Sequence, residues 1–175
     1  NFVELKNRNV LEIGPGTGNL TEEILRKNPK KILVVEKDNN LANLLKEKFK
    51  DKIKVINRDI LKTNENSLYN ETLTVLGNLP YNISTEILCK WILNLKEKTW
   101  FDYLILMFQK EVADRIISEY NTKDYGRLSI ITNWRLKIHK ICDIHPSCFQ
   151  PKPKVDSSLL LFEPKTNFIE FKNPR

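Results

Sequence analysis

Two rhythms of apolar residues alternate along this chain. Asn9 to Ile13 is a short apolar run closed by Gly14, and Leu20, Ile24 and Leu25 then recur at helical spacing until Asn28-Pro29 stops them. Lys31 to Val35 repeats the buried-strand run, and Leu41, Leu44, Leu45 and Phe49 follow on one expected helical face. Ile53 to Ile56, Leu73 to Leu76 and Tyr103 to Phe108 read as further strands, with helices over Ser84 to Leu95 and Lys110 to Glu119 between and after the last two. Strands separated by helices of ten or more residues pair in parallel through right-handed crossovers, so a doubly wound α/β sheet is expected.

Past Gly126 the rhythm changes. A short helix is expected over Leu128 to Asn133, then two strands, Ile138 to Ile144 and Ser158 to Phe162, joined by the proline-rich stretch Pro146 to Pro153. With no crossover helix between them, these two pair antiparallel. No internal repeat or second domain is visible, and the pattern fades into a polar tail after Pro164. The expected boundaries are a catalytic core over 1–164 and a tail or linker over 165–175. Asn1 to Arg8 lead almost at once into a central strand, so upstream sequence is expected to be missing.

The 175 residues suffice for one full core. A formal charge of +7 favours a polyanionic partner, nucleic acid ahead of a merely solvated lysine-rich surface. Three widely spaced cysteines, with no signal peptide and no long apolar run, fit a reducing interior and argue against secretion or a membrane span.

Glu12-Ile-Gly-Pro-Gly-Thr-Gly18 sets three glycines between a strand and a helix, where a ligand can lie against backbone N–H groups. A tight strand-to-helix turn would use the same residues. The G-x-G-x-G spacing, with Asn19 following, departs from the G-x-G-x-x-G of dinucleotide sites and weakens a nicotinamide cofactor. Glu36 closes the second strand about twenty residues on, where an acid takes both hydroxyls of a ribose; Lys37 follows it. Asp59 closes the third strand, placed to accept from an exocyclic adenine amino group while Ile60 covers the ring. Glu12, Gly14, Gly16, Gly18, Glu36, Lys37, Asp59, Ile60 and Asn78 are therefore the cofactor-binding candidates. An adenosine-containing cofactor without a pyrophosphate is implied, and S-adenosyl-L-methionine fits, with another nucleotide as the alternative.

Asn78-Leu-Pro-Tyr81 closes the fourth strand beside that site. The amino group of an aromatic base is a poor nucleophile because its lone pair is delocalised into the ring. The Asn78 side-chain oxygen and the Pro80 carbonyl are expected to accept its hydrogens and aim the lone pair, while Tyr81 offers a stacking ring. A strand-ending turn built from Asn and Pro is the plainer alternative.

Glu12 to Thr21, Asn78 to Thr85, Gln109 to Arg115, Tyr125 to Ser129 and Phe149 to Ser157 together resemble the ribosomal RNA adenine N6-dimethyltransferase family, over about Val10 to Phe162. Leu79 and Tyr-Gly-Arg-Leu-Ser look more like its small-subunit branch than its large-subunit, antibiotic-resistance branch. The resemblance implies a Rossmann-like class I methyltransferase fold, a mostly parallel doubly wound sheet with an antiparallel final strand. It also implies S-adenosylmethionine-dependent transfer of two methyl groups to N6 of each of two adjacent adenosines near the 3′ end of small-subunit ribosomal RNA. Under it Phe149 stacks on the face of an extruded adenine opposite Tyr81, although a loop aromatic packed into the core would look the same. Asn78, Pro80, Tyr81 and Phe149 are the catalytic candidates.

Family members begin with a segment that covers the cofactor and end in a small helical domain that helps hold RNA; both are expected to be absent here. The implied partner is an immature small ribosomal subunit, the default state a monomer, and the compartment cytoplasmic in a bacterium or nucleolar or organellar in a eukaryote. The large-subunit branch, and a mainly non-catalytic role in small-subunit assembly, are the alternatives. Lys110, Arg115, Arg127, Lys152 and Lys154 are the candidates for an RNA face, against a generic solvated basic surface. Cys142, His145 and Cys148 supply three potential ligands where structural zinc wants four, so no metal is expected. Cys89, Trp91 and Trp134 read as core or boundary residues, and His139 has no obvious partner in sequence.

Overall fold

The computed structural model describes residues 2–95 and 99–168. The parallel half of the sheet alternates β1 (Asn9–Ile13), α1 (Asn19–Arg26), β2 (Lys31–Glu36), α2 (Asn39–Phe49), β3 (Lys54–Asn57), β4 (Leu73–Gly77), α3 (Tyr81–Leu93) and β5 (Phe101–Gln109). Then come α4 (Lys110–Ile117), α5 (Arg127–Arg135), β6 (Leu136–Ile144) and β7 (Ser157–Pro164). The seven strands lie in the order β3-β2-β1-β4-β5-β7-β6. The first five are parallel to one another, and β7 runs antiparallel to both β5 and β6. This is the expected doubly wound sheet, with β7 inserted between β5 and the edge strand β6.

The central strands read as unbroken apolar runs because helices cover both faces. Along them successive side chains go to opposite layers: Leu11, Leu33 and Val35 join the core beneath α3, α4 and α5, while Val10, Ile32 and Val34 join Ile24 of α1 and Leu45 and Phe49 of α2. Leu44, expected on the packed face of α2, is 42 % exposed, because Ala42, Leu45 and Phe49 take the buried face of the helix.

Three boundaries differ from expectation. α3 starts at Tyr81 instead of Ser84, with Pro80 as its N-cap residue; β5 reaches back to Phe101; and β6 follows α5 without a loop. The expected tail over 165–175 falls largely outside the described residues, of which Lys165 donates its N–H to the Arg135 carbonyl.

Strand order reverses between β1 and β4, so the loops after these two strands leave in opposite directions and open a crevice at their carboxyl ends. In open α/β sheets that crevice is where ligands bind.

Candidate active site

The loop after β1 takes its shape from left-handed backbone at Gly14, Gly16 and Gly18, with φ of 65°, 58° and 85°. Two different demands act there. A Cβ on Gly14 or Gly16 would meet nothing within 4 Å, so these two leave open backbone, whereas a Cβ on Gly18 would sit 2.5 Å from the Phe49 ring. Gly18 thus serves the packing of α1 on α2, and the ligand-facing surface of the loop belongs to the earlier glycines.

Glu36 is buried at the end of β2, its two carboxylate oxygens held by backbone donors from both neighbouring loops. The Gly16 N–H reaches Oε2 at 3.2 Å and the Asp38 N–H reaches Oε1 at 2.9 Å. Each oxygen keeps a lone pair for an external donor. Asp59, at the end of β3, accepts from the Leu61 N–H at 3.0 Å through Oδ1 and pairs with the Lys37 ammonium at 2.9 Å through Oδ2. The hydrogen bond from Lys37 is the largest cause that holds this carboxyl below the usual aspartate range. The Lys37 side chain is 76 % exposed, and a pair this open is worth little and is readily exchanged for another partner.

Gly14, Glu36, Lys37, Arg58 and Asp59 line a cavity of about 130 Å³ whose remaining lining is apolar, including Ile60, Leu79 and, from α3, Ile83 and Ile87. A flat apolar ring with a polar edge and a diol suits these walls, so the residues present fit an adenosine moiety. Gly16 and Gly18, also expected among the binding residues, do not line this cavity.

Glu12 departs from its expected role. It is fully buried, accepts the Thr21 hydroxyl at 2.6 Å, and does not line the cavity. Burial pushes its pKa up from 4.5 to about 7 against the opposing effect of the Thr21 bond.

A second cavity, of about 530 Å³, opens beside the first and is lined by Asn78, Leu79, Pro80 and Tyr81, by Met107 of β5, and by Phe149, Gln150, Pro151 and Pro153 of the loop before β7. Leu79 and Pro80 line both cavities. The sequence-separated Asn78, Tyr81 and Phe149 are therefore brought to one place, and Phe149 belongs to neither apolar core. The Tyr81 hydroxyl lies 2.6 Å from the Ser157 hydroxyl, which ties the start of α3 to the start of β7.

The expected role of the Pro80 carbonyl is corrected. As the N-cap residue of α3, Pro80 gives that oxygen to the helix, where it accepts the Ile83 and Ser84 N–H groups, both at 3.1 Å. Among the described residues the carbonyl of Leu79, one position earlier, accepts no hydrogen bond. Sequence inspection also missed Ser157, Met107, Ile83 and Ile87; of these only the last two carried a signal, their four-residue spacing along one face of α3.

Of the basic candidates, Lys110, Lys152 and Lys154 line a groove of about 520 Å³ that shares Pro153 with the second cavity. Arg115 and Arg127 do not line it. Lys110 pairs with Asp114 at 2.6 Å and Arg115 with Glu111 at 2.5 Å, each one turn along α4. His139, with no obvious partner in sequence, has Nε2 3.5 Å from Glu163 across the β6–β7 pair. The His145 ring engages the Ser147 hydroxyl at 2.8 Å, Cys142 and Cys148 are exposed, and Trp91 is in the core. Among the described residues no three His, Cys, Asp or Glu side chains group as metal ligands would.

Comparison with known proteins agrees with this geometry. The ribosomal RNA adenine dimethylase family matches residues 3–173. A relative from Pelagibacter ubique named ribosomal RNA small subunit methyltransferase A is 62% identical over 174 residues, covering 99% of this chain and 66% of the relative. One of the same name from a Wolbachia of Drosophila simulans is 45% identical over 91% of this chain and 59% of the relative. The chain thus spans somewhat less than two thirds of the length of these curated relatives.

Among solved structures, a dimethyladenosine transferase from Plasmodium falciparum superposes with a TM-score of 0.79 at 32% identity, covering 92% of this chain and 57% of that one. The 23S rRNA methyltransferase ErmE gives 0.76 at 28% identity, over 97% and 67%. An S-adenosylmethionine-dependent methyltransferase fold from Listeria monocytogenes, at 16% identity and a TM-score of 0.56, matches in fold alone. A family match over nearly the whole chain, on a sheet that sets the cavity of Glu36 and Asp59 beside the Asn78–Tyr81 motif, has one conclusion: this chain belongs to the ribosomal RNA adenine dimethylase family.

Proposed function

We propose that the chain is the catalytic core of an S-adenosyl-L-methionine-dependent enzyme that dimethylates N6 of two adjacent adenosines near the 3′ end of small-subunit ribosomal RNA. The observation that carries this reading is the meeting of the two cavities at Leu79 and Pro80, with Glu36 and Asp59 on one side and Asn78, Tyr81 and Phe149 on the other. Similarity to relatives named for the small subunit favours that branch over the large-subunit one.

When bound, S-adenosylmethionine supplies an electrophilic methyl carbon on a positively charged sulfur. Glu36 holds the ribose hydroxyls by accepting from them, and its own fixation by two backbone N–H groups means little order is lost on binding. Ile60, Ile83 and Ile87 would enclose its base, and Asp59, whose exposed Lys37 partner is readily exchanged, would accept from the amino group of that base.

On the acceptor side, Tyr81 and Phe149 offer two rings to an adenine taken out of its stack, recovering part of the few kcal/mol that extrusion costs. The Asn78 side-chain oxygen and the Leu79 carbonyl accept the two hydrogens of the amino group and draw the nitrogen lone pair out of the ring towards the cofactor side. Pro80, with its fixed φ, starts α3 and turns the Leu79 carbonyl out of the helix. After transfer the alkylated amine is acidic and gives its proton to water, so no strong base is required. Once one methyl is on, Asn78 and Leu79 share a single remaining hydrogen, and the second transfer relies more on stacking and position.

Lys110, Lys152 and Lys154 extend this reading to the RNA backbone beside the extruded base. An immature small subunit is the proposed partner, the chain acting as a monomer in a bacterial cytoplasm. The cited curated relatives are bacterial, and among the described residues no helix is long and apolar enough to cross a membrane. Residues 1–164 are taken as the methyltransferase core.

Nucleoside mass spectrometry tests the whole reading. After incubation of this chain, by itself and extended with the flanking segments of a relative, with S-adenosylmethionine and unmethylated ribosomal subunits, dimethyladenosine is expected in small-subunit RNA alone. Product in large-subunit RNA would reassign the branch, and no product from either would overturn the activity.

A further inference from the structure

Between β3 and β4 the chain forms two short 3-10 turns, Ile60–Lys62 and Glu65–Ser67, and the first of them brings Ile60 to the lining of the cofactor cavity beside Asp59. Local bonds shape this segment: the Leu61 N–H caps on Asp59, and the Thr63 hydroxyl donates to the Asp59 carbonyl at 2.8 Å. None of them ties it to the rest of the fold. Among the described residues the polar ties to α3 come from two neighbouring residues of that helix, Lys90 and Trp91. The Lys90 ammonium donates to the Ile60 carbonyl at 2.8 Å, to the Thr63 carbonyl at 2.5 Å and to Glu65 Oε1 at 2.6 Å. The Trp91 indole N–H reaches the same Glu65 oxygen at 2.7 Å.

All three donors of the ammonium are thus spent on one short segment. The Glu65 side chain is 6% exposed and that of Lys90 21%, so both charges are largely withdrawn from water. Against apolar residues of the same shape, a pair so placed contributes little net stability, because desolvation offsets most of the attraction. What three directed bonds do contribute is position.

The position in question is a catalytic one. Ile83 and Ile87, earlier on α3, line the same cavity as Asp59 and Ile60, and the same helix begins at Tyr81, immediately after Asn78-Leu79-Pro80. One rigid helix therefore carries the acceptor motif at its start, part of the lining of the base cavity along its middle, and the grip on Ile60 near its end. We infer that Lys90, oriented by Glu65 and Trp91, is a positioning residue for methyl transfer: it sets the width of the base cavity and its distance from Asn78. This inference rests on the cofactor reading proposed above.

Two variants, Lys90→Met and Lys90→Met with Glu65→Gln, separate positioning from charge compensation. Three quantities are read for each: thermal midpoint, calorimetric Kd for S-adenosylhomocysteine, and amide exchange across residues 59–64 without ligand. The single variant is expected to lower the midpoint, weaken binding about tenfold and speed exchange in the segment at least tenfold, since a buried carboxylate loses its partner and two carbonyls lose their donor. In the double variant no buried charge is left alone, and the introduced amide oxygen still accepts from Trp91. Its midpoint is expected to recover, while affinity and exchange stay altered, because the bonds to Ile60 and Thr63 remain absent. Affinity and exchange that recover together with the midpoint would overturn the positioning role, as would unchanged exchange in the single variant. Failure of the unaltered protein to bind S-adenosylhomocysteine would instead overturn the cofactor reading, and exchange across 59–64 would report separately on whether the grip itself exists.

Discussion

Asn78 stands exposed at the end of β4, so its replacement removes a hydrogen-bond acceptor without opening a hole in the core. Asn78→Ala is accordingly expected to slow methyl transfer more than about tenfold in single-turnover kinetics while the Kd for cofactor stays within about twofold. Unchanged turnover would remove Asn78 from the chemistry. Glu36→Ala should act on the other quantity, weakening cofactor binding by about 1–3 kcal/mol in calorimetry, the scale of a hydrogen bond to a charged group. Glu12 sets a pH dependence. Its folded pKa of about 7 lies above the ordinary 4.5, so the folded chain holds more protons than the unfolded one between those values, and stability falls as pH rises through that window. The full effect is about 3 kcal/mol by proton linkage. Glu12→Gln, which cannot ionise, is expected to flatten this slope and raise the thermal midpoint above neutral pH; an equal slope in both proteins would place the titrating group elsewhere. These roles were unequally legible. Acids at strand ends and an Asn before Pro-Tyr can be read along the chain, whereas the depth that makes Glu12 a buried acid depends on α1 closing over it through Thr21.

At the scale of elements, the loop after β1 illustrates how one motif serves two purposes. Gly18→Ala places a methyl 2.5 Å from the Phe49 ring on a backbone with φ of 85°, and is expected to cost about 1–3 kcal/mol in chemical denaturation. Gly14→Ala meets no neighbour, and its cost is set by φ alone. The spacing of the glycines announces a turn, but only the approach of α2 separates packing glycine from ligand-facing glycine. α3 teaches the same point. Apolar periodicity marks its body from Ser84 onward, while its true start at Tyr81 follows from Pro80 capping it, which also withdraws the Pro80 carbonyl from the pocket and leaves that of Leu79. Periodicity is blind to a helix's first turn, where side chains have little to pack against and the backbone bonds decide.

For the whole molecule, an excess of seven positive charges and a groove that Lys110, Lys152 and Lys154 line together with Glu111 and Asp156 predict that the RNA binding proposed above depends on salt. Replacing Lys152 and Lys154 by Ala is expected to weaken binding of small-subunit RNA and to lower the slope of log K against log salt by about 1–2, since each phosphate that is no longer neutralised retains roughly one counterion on binding. An unaltered slope would leave these lysines as solvated surface. By itself the sequence determined the alternation of strand and helix, the parallel half of the sheet, and the placing of Glu36, Asp59 and Asn78 at strand ends, because these are local matters of period, turn chemistry and residue type. The tertiary structure alone decided that β7 enters between β5 and β6, that Phe149 arrives beside Asn78 from some seventy residues away, and that Lys90 grips the cavity wall. Each of these depends on which distant surfaces meet, and a meeting between distant surfaces leaves no period in the chain to read.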